Sequence, residues 1–258
     1  MKRGAIIQRH INDLETNGIA IVPSILSRDE VFRLRQELIA AIDEDAVAYP
    51  GVFDQRMVHN CMVRGKNMAT LLDHPVMNSY LKAAFSETCI IHAYQSSSLL
   101  PGQTNFGSRI HVDSPRFIPG YTTNMGIIFP LDDFTLENGA TYYLAGSHKV
   151  EKLPDEAGFY ANAKRACCSA GDMIIFNARL VHAAGDNRTD QSRHSLTINL
   201  CRSFMRQRFD FPRLVPNEII ASLGDDGRRL IGMNVRMPTS LEEFYLPPEQ
   251  RLYKPDQG

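Results

Sequence analysis

Cysteine is scarce, long apolar runs are missing, and charge of neither sign dominates this sequence. The five cysteines are an odd number without framework spacing, and Cys167 and Cys168 are adjacent, a poor geometry for a bond between them. That pattern argues against a disulfide-stapled fold and is the one expected of a reducing, cytoplasmic compartment. The Asn187-Arg188-Thr189 sequon is then a chance match. No apolar stretch approaches the roughly 20 residues of a membrane span. The opening MKRGAIIQRHINDLETNG has early basic residues but no apolar core of signal-peptide length. A formal net charge of -1 gives no bulk attraction to nucleic acid or to an anionic membrane. Arginines are denser between 202 and 236, but Asp210, Glu218, Asp225 and Asp226 interrupt them, as on a solvated face. Repeats and low-complexity segments are also missing. What remains is a 258-residue chain, 43% hydrophobic and 22% charged, of a size that builds one sizeable core.

The front of the chain reads as helical. GIAIVP predicts a short strand, and Ser27 with Glu30 forms a capping-box pattern before Val31, Leu34, Leu38 and Ile42, which share one helix face. Residues 46–66 lose periodicity and predict a long loop. MATLLDHPVMNSYLKAAF predicts a second helical region interrupted at Pro75. From residue 88 the pattern changes to short Ile-, Tyr-, Thr- and Val-rich runs between Gly, Pro and Asn clusters. Strands are expected near 89–99, 108–113, 121–131, 140–144, 165–168, 172–176, 181–184 and 193–204, which suggests a sandwich or a barrel. Residues 205–258 read as irregular, with one or two short helices.

Chemistry gathers in three places. In SRIHVDSPRF, alternation puts His111 and Asp113 on one strand face and Ile110 and Val112 on the other. Such a pair is either a surface hydrogen-bonded couple or half of a metal clamp. Two histidines and one carboxylate with open coordination positions mark non-haem iron(II) oxygenases. His182, followed by Ala183, Ala184 and Gly185, which allow close backbone approach, is preferred over His148 as the third ligand. In SRHSLTINL, Arg193, Ser195, Thr197 and Asn199 share one face, and His194, Leu196, Ile198 and Leu200 the other. The polar face lies either in water or inside a barrel, where guanidinium and hydroxyl would suit a buried carboxylate.

In this order, HVD (His111, Asp113), LDDFTLENGATYYLAGSHK (131–149), AGDMIIFNARLVHAAGDN (170–187) and RHS (Arg193, Ser195) resemble the phytanoyl-CoA dioxygenase family of iron(II)/2-oxoglutarate oxygenases. The resemblance covers about residues 5–245 in layout, and Arg193 follows His182 by the family's expected 11 residues. It implies a mainly β fold with flanking helices, a double-stranded β-helix (a jelly-roll, cupin-like barrel). It implies one domain over 1–258, with a helical region over 1–88, a barrel core over 89–204 and an irregular, lid-like segment over 205–258. His111, Asp113 and His182 would bind iron(II). Arg193 would hold the distal carboxylate of 2-oxoglutarate with Ser195 assisting, and Asn124 or Gln95 would contact its other end. The cofactors implied are Fe(II), 2-oxoglutarate and O2, with ascorbate as reductant.

The expected reaction is hydroxylation of a small organic molecule, such as a natural-product intermediate, as 2-oxoglutarate and O2 become succinate and CO2. An aspartate at the carboxylate position argues against halogenation. Desaturation, ring closure, epimerisation and a non-catalytic ligand-binding homologue stay as alternatives. A small-molecule substrate, without nucleic acid or membrane, is the expected partner, and monomer and homodimer stay open. The loops 50–67 and 202–238 are candidate lids, with Arg56, Arg64, Arg116 and Arg202 as candidates to hold an acidic substrate.

Overall fold

The computed structural model describes residues 2–51, 56–103 and 105–254, the side chains of Lys2 and Arg3 excepted. Helices lead the chain, strands follow, and short helices close it. Helix α1 (Lys2–Asn17) opens the chain, and the His10 ring bonds Tyr80, which ties α1 to the helical region that follows. Strand β1 (Ile19–Val22) leads to α2 (Arg28–Ala48), whose capping box forms as the sequence predicts. Leu34, Leu38, Ala41 and Ile42 are its buried stripe. The second helical region is three pieces: α3 (Lys66–Thr70), a 3-10 turn (Leu71–Asp73) and α4 (Pro75–Ala84), with Pro75 in the first turn of α4, where it costs no hydrogen bond. The predicted long loop is shorter than expected, because α2 runs on to Ala48 and a 3-10 turn occupies Cys61–Val63.

Two antiparallel sheets follow. The larger has the order β1-β6-β3-β8-β2, built from β2 (Ile90–Leu99), β3 (Asn124–Pro130), β6 (Met173–Asn177) and β8 (Arg193–Cys201) with β1 at one edge. The smaller is β5-β4-β7, from β4 (Tyr142–Tyr143), β5 (Lys164–Arg165) and β7 (His182–Ala183). No regular strand forms over 108–113: Pro115 follows closely, and the segment keeps a single antiparallel bridge, His111 to His182. Helix α5 (Glu156–Asn162) packs Phe159 against Val181 and Ala183, and Ile110 and Val112 join that cluster. His111 and Asp113 therefore face the opposite way.

The main core lies between the larger sheet and the helices. Leu196, Ile198 and Leu200 of β8 are fully buried there with Leu38, Leu72 and Met77. A second cluster, including Phe134, Ile174 and Phe176, lies towards the smaller sheet. After β8 come α6 (Phe211–Leu214), α7 (Asn217–Ser222), α8 (Asp225–Leu230) and α9 (Leu241–Phe244), more helix than the sequence suggests. Arg229 of α8 pins this segment down by donating to the Cys89 carbonyl and the Asn78 side chain. Among the described residues no helix is long and apolar enough to cross a membrane.

Candidate active site

Two backbone bonds assemble the site. His111 N donates to His182 O and His182 N to His111 O, both at 3.0 Å, so the two residues sit directly opposite each other. Their rings lie 4.2 Å apart between centroids. The Asp113 carboxylate approaches both, with Oδ1 3.4 Å from His111 Nε2 and 3.8 Å from His182 Nε2. One nitrogen from each histidine and one carboxylate oxygen all fall within 4.8 Å of one another.

The tautomers suit ligation. His111 Nδ1 bonds to the Arg109 carbonyl at 2.6 Å and His182 Nδ1 to the Leu180 carbonyl at 2.9 Å. A carbonyl only accepts, so Nδ1 carries the proton in the neutral ring and Nε2 offers its lone pair. Oriented imidazoles of this kind are what a metal-binding histidine needs. Burial works to lower the His111 pKa, but bonds to Asp113 and the Arg109 carbonyl outweigh it and draw it up. At His182 burial prevails over the attraction of Asp113, and the pKa falls. For Asp113, burial is outweighed by the His111 bond and the charges of His182, His111 and Arg208, and the carboxyl is held low. A cation bonded at about 2.1 Å fits donors so spaced, and two histidines with one carboxylate leave positions for other ligands.

Across the same cavity stands Arg193, 2% exposed. Its Nη1 donates to Gly139 O at 2.6 Å, and its guanidinium lies 3.9 Å above the Phe134 ring. Nε has no partner among the described residues, and no carboxylate there pairs with the group. Burial lowers its pKa to about 10. A buried cation without an anion is costly, and a carboxylate entering the cavity would relieve it. Gly139 makes the position possible: its φ is +84°, and a Cβ there would fall 2.5 Å from the Gly185 carbonyl. Gly126 is needed nearby, because a Cβ on it would overlap the Phe176 ring that walls the cavity.

The cavity holds about 230 Å³, and Asp113, His182, Arg193 and Ser195 all line it. Ser195, Thr197 and Asn199 face it while Leu196, Ile198 and Leu200 face the core, so the polar face of β8 points inward. Ser195 Oγ donates to Ser97 O at 3.2 Å. Asn124 and Gln95 also line the cavity, and the Gln95 oxygen accepts from Arg208 Nη1 at 2.8 Å. His148, the rejected third ligand, is engaged with the Glu15 carbonyl instead. Of the arginines proposed for an acidic substrate, Arg64 is paired with Asp45 and Glu44, and Arg202 donates to the Thr122 and Phe85 carbonyls. Arg56 lines a neighbouring cavity. Sequence reasoning missed Arg208, which lies in an irregular stretch with no periodic signal. Residues 52–55 of the first candidate lid lie outside the described residues.

A family sequence model described as phytanoyl-CoA dioxygenase matches residues 14–195, well over half of the chain. The chain belongs to the phytanoyl-CoA dioxygenase family. An uncharacterised protein of Mycobacterium tuberculosis is 30% identical over 254 residues, covering 93% of this chain and 92% of its own. A named relative, the iron/alpha-ketoglutarate-dependent dioxygenase ausU of Aspergillus calidoustus, is 25% identical and covers 87% of this chain and 80% of its own. Among solved structures, the epimerase SnoN in complex with Fe3+, alpha-ketoglutarate and nogalamycin RO superimposes with a TM-score of 0.61 at 20% identity. It covers 83% of this chain and 91% of SnoN. At that identity the likeness establishes a shared fold, that of the non-haem alpha-ketoglutarate-dependent enzymes.

Proposed function

We propose that this member of the phytanoyl-CoA dioxygenase family is an iron(II)- and 2-oxoglutarate-dependent oxygenase that hydroxylates a small organic molecule. The observation that carries the reading is the pairing in one cavity of a His111-Asp113-His182 cluster with a buried, unmatched Arg193. A non-redox metal enzyme has no need of that guanidinium. The facing sheets support a double-stranded β-helix. The core that joins Leu14 to Ile231 supports one domain over 1–258. Five free cysteines support a cytoplasmic setting.

His111 Nε2, Asp113 and His182 Nε2 would hold iron(II), and Arg193 would hold the distal carboxylate of 2-oxoglutarate with Ser195 beside it. Bound there, iron(II) with 2-oxoglutarate and O2 supplies the oxidising power to break a substrate C–H bond, giving succinate and CO2. The chain's own work is positional. The Arg109 and Leu180 carbonyls keep both Nδ1 protons in place, so that the Nε2 lone pairs face the cavity. Gly139 O and Phe134 fix the Arg193 fork before any ligand arrives, which cuts the ordering cost of binding. Ile128, Phe134 and Phe176 keep water from that end. Epimerisation is a second reading, favoured by the likeness to SnoN. The test is succinate production from 2-oxoglutarate under air with iron(II) and ascorbate. Iron-dependent succinate is expected, and its absence in coupled and uncoupled assays would leave a non-catalytic ligand-binding protein.

A further inference from the structure

Two guanidinium groups line the cavity, and a single 2-oxoglutarate occupies one of them. Arg193 sits at the buried end. Arg208 sits at the exposed mouth, and it is placed there by the fold. Strand β2 carries a bulge between Ile91 and Ala93, which takes His92 out of the pairing with β8. The freed residue then holds the chain that returns after β8. His92 O accepts from Arg208 N at 2.8 Å, and the His92 ring bonds the Arg206 carbonyl at 3.1 Å. Gln207 Nε2 donates to the Ile91 and Ile231 carbonyls. Bulges beside active sites commonly re-aim a side chain. Here the bulge brings Arg208 back over the pocket, where Gln95 Oε1 takes Nη1 at 2.8 Å.

That bond uses one of the five guanidinium donors. Among the described residues no carboxylate pairs with Arg208. Its charge faces the cavity, where it acts on the Asp113 carboxylate without forming an ion pair with it. Asp113 is committed to the two histidines, and the distal carboxylate of 2-oxoglutarate belongs to Arg193. Met57 also lines a second cavity of about 640 Å³, whose walls include Tyr49, Val63 and Leu214 together with Asp45, Arg56 and His59. An acid gripped at the mouth would have room there for the rest of the molecule.

We propose that Arg208, oriented by Gln95, is the substrate anchor, and that the substrate is a small organic acid whose carboxylate binds it. The proposal rests on the oxygenase reading above. A guanidinium grips a planar carboxylate by two parallel hydrogen bonds, and esterification removes the charge that makes them strong.

The test uses full-length protein loaded with manganese(II) and N-oxalylglycine, an unreactive mimic of 2-oxoglutarate. A panel of alkyl and aryl carboxylic acids, each with its methyl ester, is titrated while the melting temperature is followed. Acids, and not their esters, are expected to raise it saturably, and Arg208→Gln is expected to weaken the acids about tenfold. N-oxalylglycine should bind Arg208→Gln within about twofold of wild type but fail on Arg193→Met. Acids and esters acting alike, no acid acting at all, or unchanged acid affinity in Arg208→Gln would overturn the proposal. So would a loss of N-oxalylglycine affinity in Arg208→Gln matching that in Arg193→Met, which would assign Arg208 to the cosubstrate. A wild-type protein that takes up no N-oxalylglycine would instead overturn the oxygenase reading, and this proposal with it.

Discussion

The two ends of the cavity are built in opposite ways. The histidine end comes from scraps: a lone bridge at His111, the two-residue strand β7, and Asp113 two positions further on. Its carboxylate has polar partners in place, since Asp113 faces two imidazoles and also feels the charge of Arg208. The arginine end stands on a nine-residue strand, and Arg193 itself is buried without a carboxylate partner among the described residues. A carboxylate between two imidazoles has polar partners before any further ligand arrives. A buried guanidinium with an unpartnered Nε and no carboxylate beside it calls for an anion. Metal and dicarboxylate should therefore be separable by single substitutions.

The largest expected effect is at the histidine end. Asp113→Ala should remove bound iron and cut turnover by at least about 10³-fold, measured by metal content and succinate, with N-oxalylglycine losing its metal-dependent affinity. Retained iron would break the contrast. At the other end, Arg193→Met should keep iron while 2-oxoglutarate binds about 100-fold more weakly, read by titration of the iron-loaded protein. Equal affinity in both proteins would remove the anchor. On the far face of the same strand, Ile198 is fully buried. Ile198→Ala should cost about 2–5 kcal/mol in denaturant unfolding and leave iron per folded protein unchanged. A smaller cost, or loss of iron from the folded fraction, would mean that β8 does not separate core from cavity.

The smallest effect is a pH dependence. His111 is drawn above the ordinary imidazole value and His182 is depressed below it. A metal must displace the His111 proton, so affinity should fall as pH drops through the His111 pKa. The expected slope is about tenfold per pH unit for one displaced proton, and a second proton should enter only further down. Above the His111 pKa neither histidine contributes a slope. Cobalt(II) absorbance titrations between pH 6 and 8 would show it, and a flat profile would contradict the assignment of His111.

Much of this was legible because alternation survives even where strands do not. His111 and Asp113 share a face opposite Ile110 and Val112 although no regular strand forms there. The β8 alternation is likewise seen in the structure, but its two faces could not be sorted into water and interior from one strand. That depended on helices covering Leu196 and Ile198, a tertiary fact. Arg208 was hidden for a different reason. Its position depends on a one-residue bulge at His92, which shifts the alternation of β2 within a run, Ile90 to Tyr94, too short and too apolar to show where the shift falls.

The most direct test of the paired-site account is an anaerobic titration of the iron(II)-loaded protein with 2-oxoglutarate, followed by its visible charge-transfer absorption. A band that saturates at one equivalent in wild type, needs far more 2-oxoglutarate in Arg193→Met and never appears in Asp113→Ala is the predicted result. A band of equal strength and midpoint in all three proteins, or no band in wild type, would contradict it.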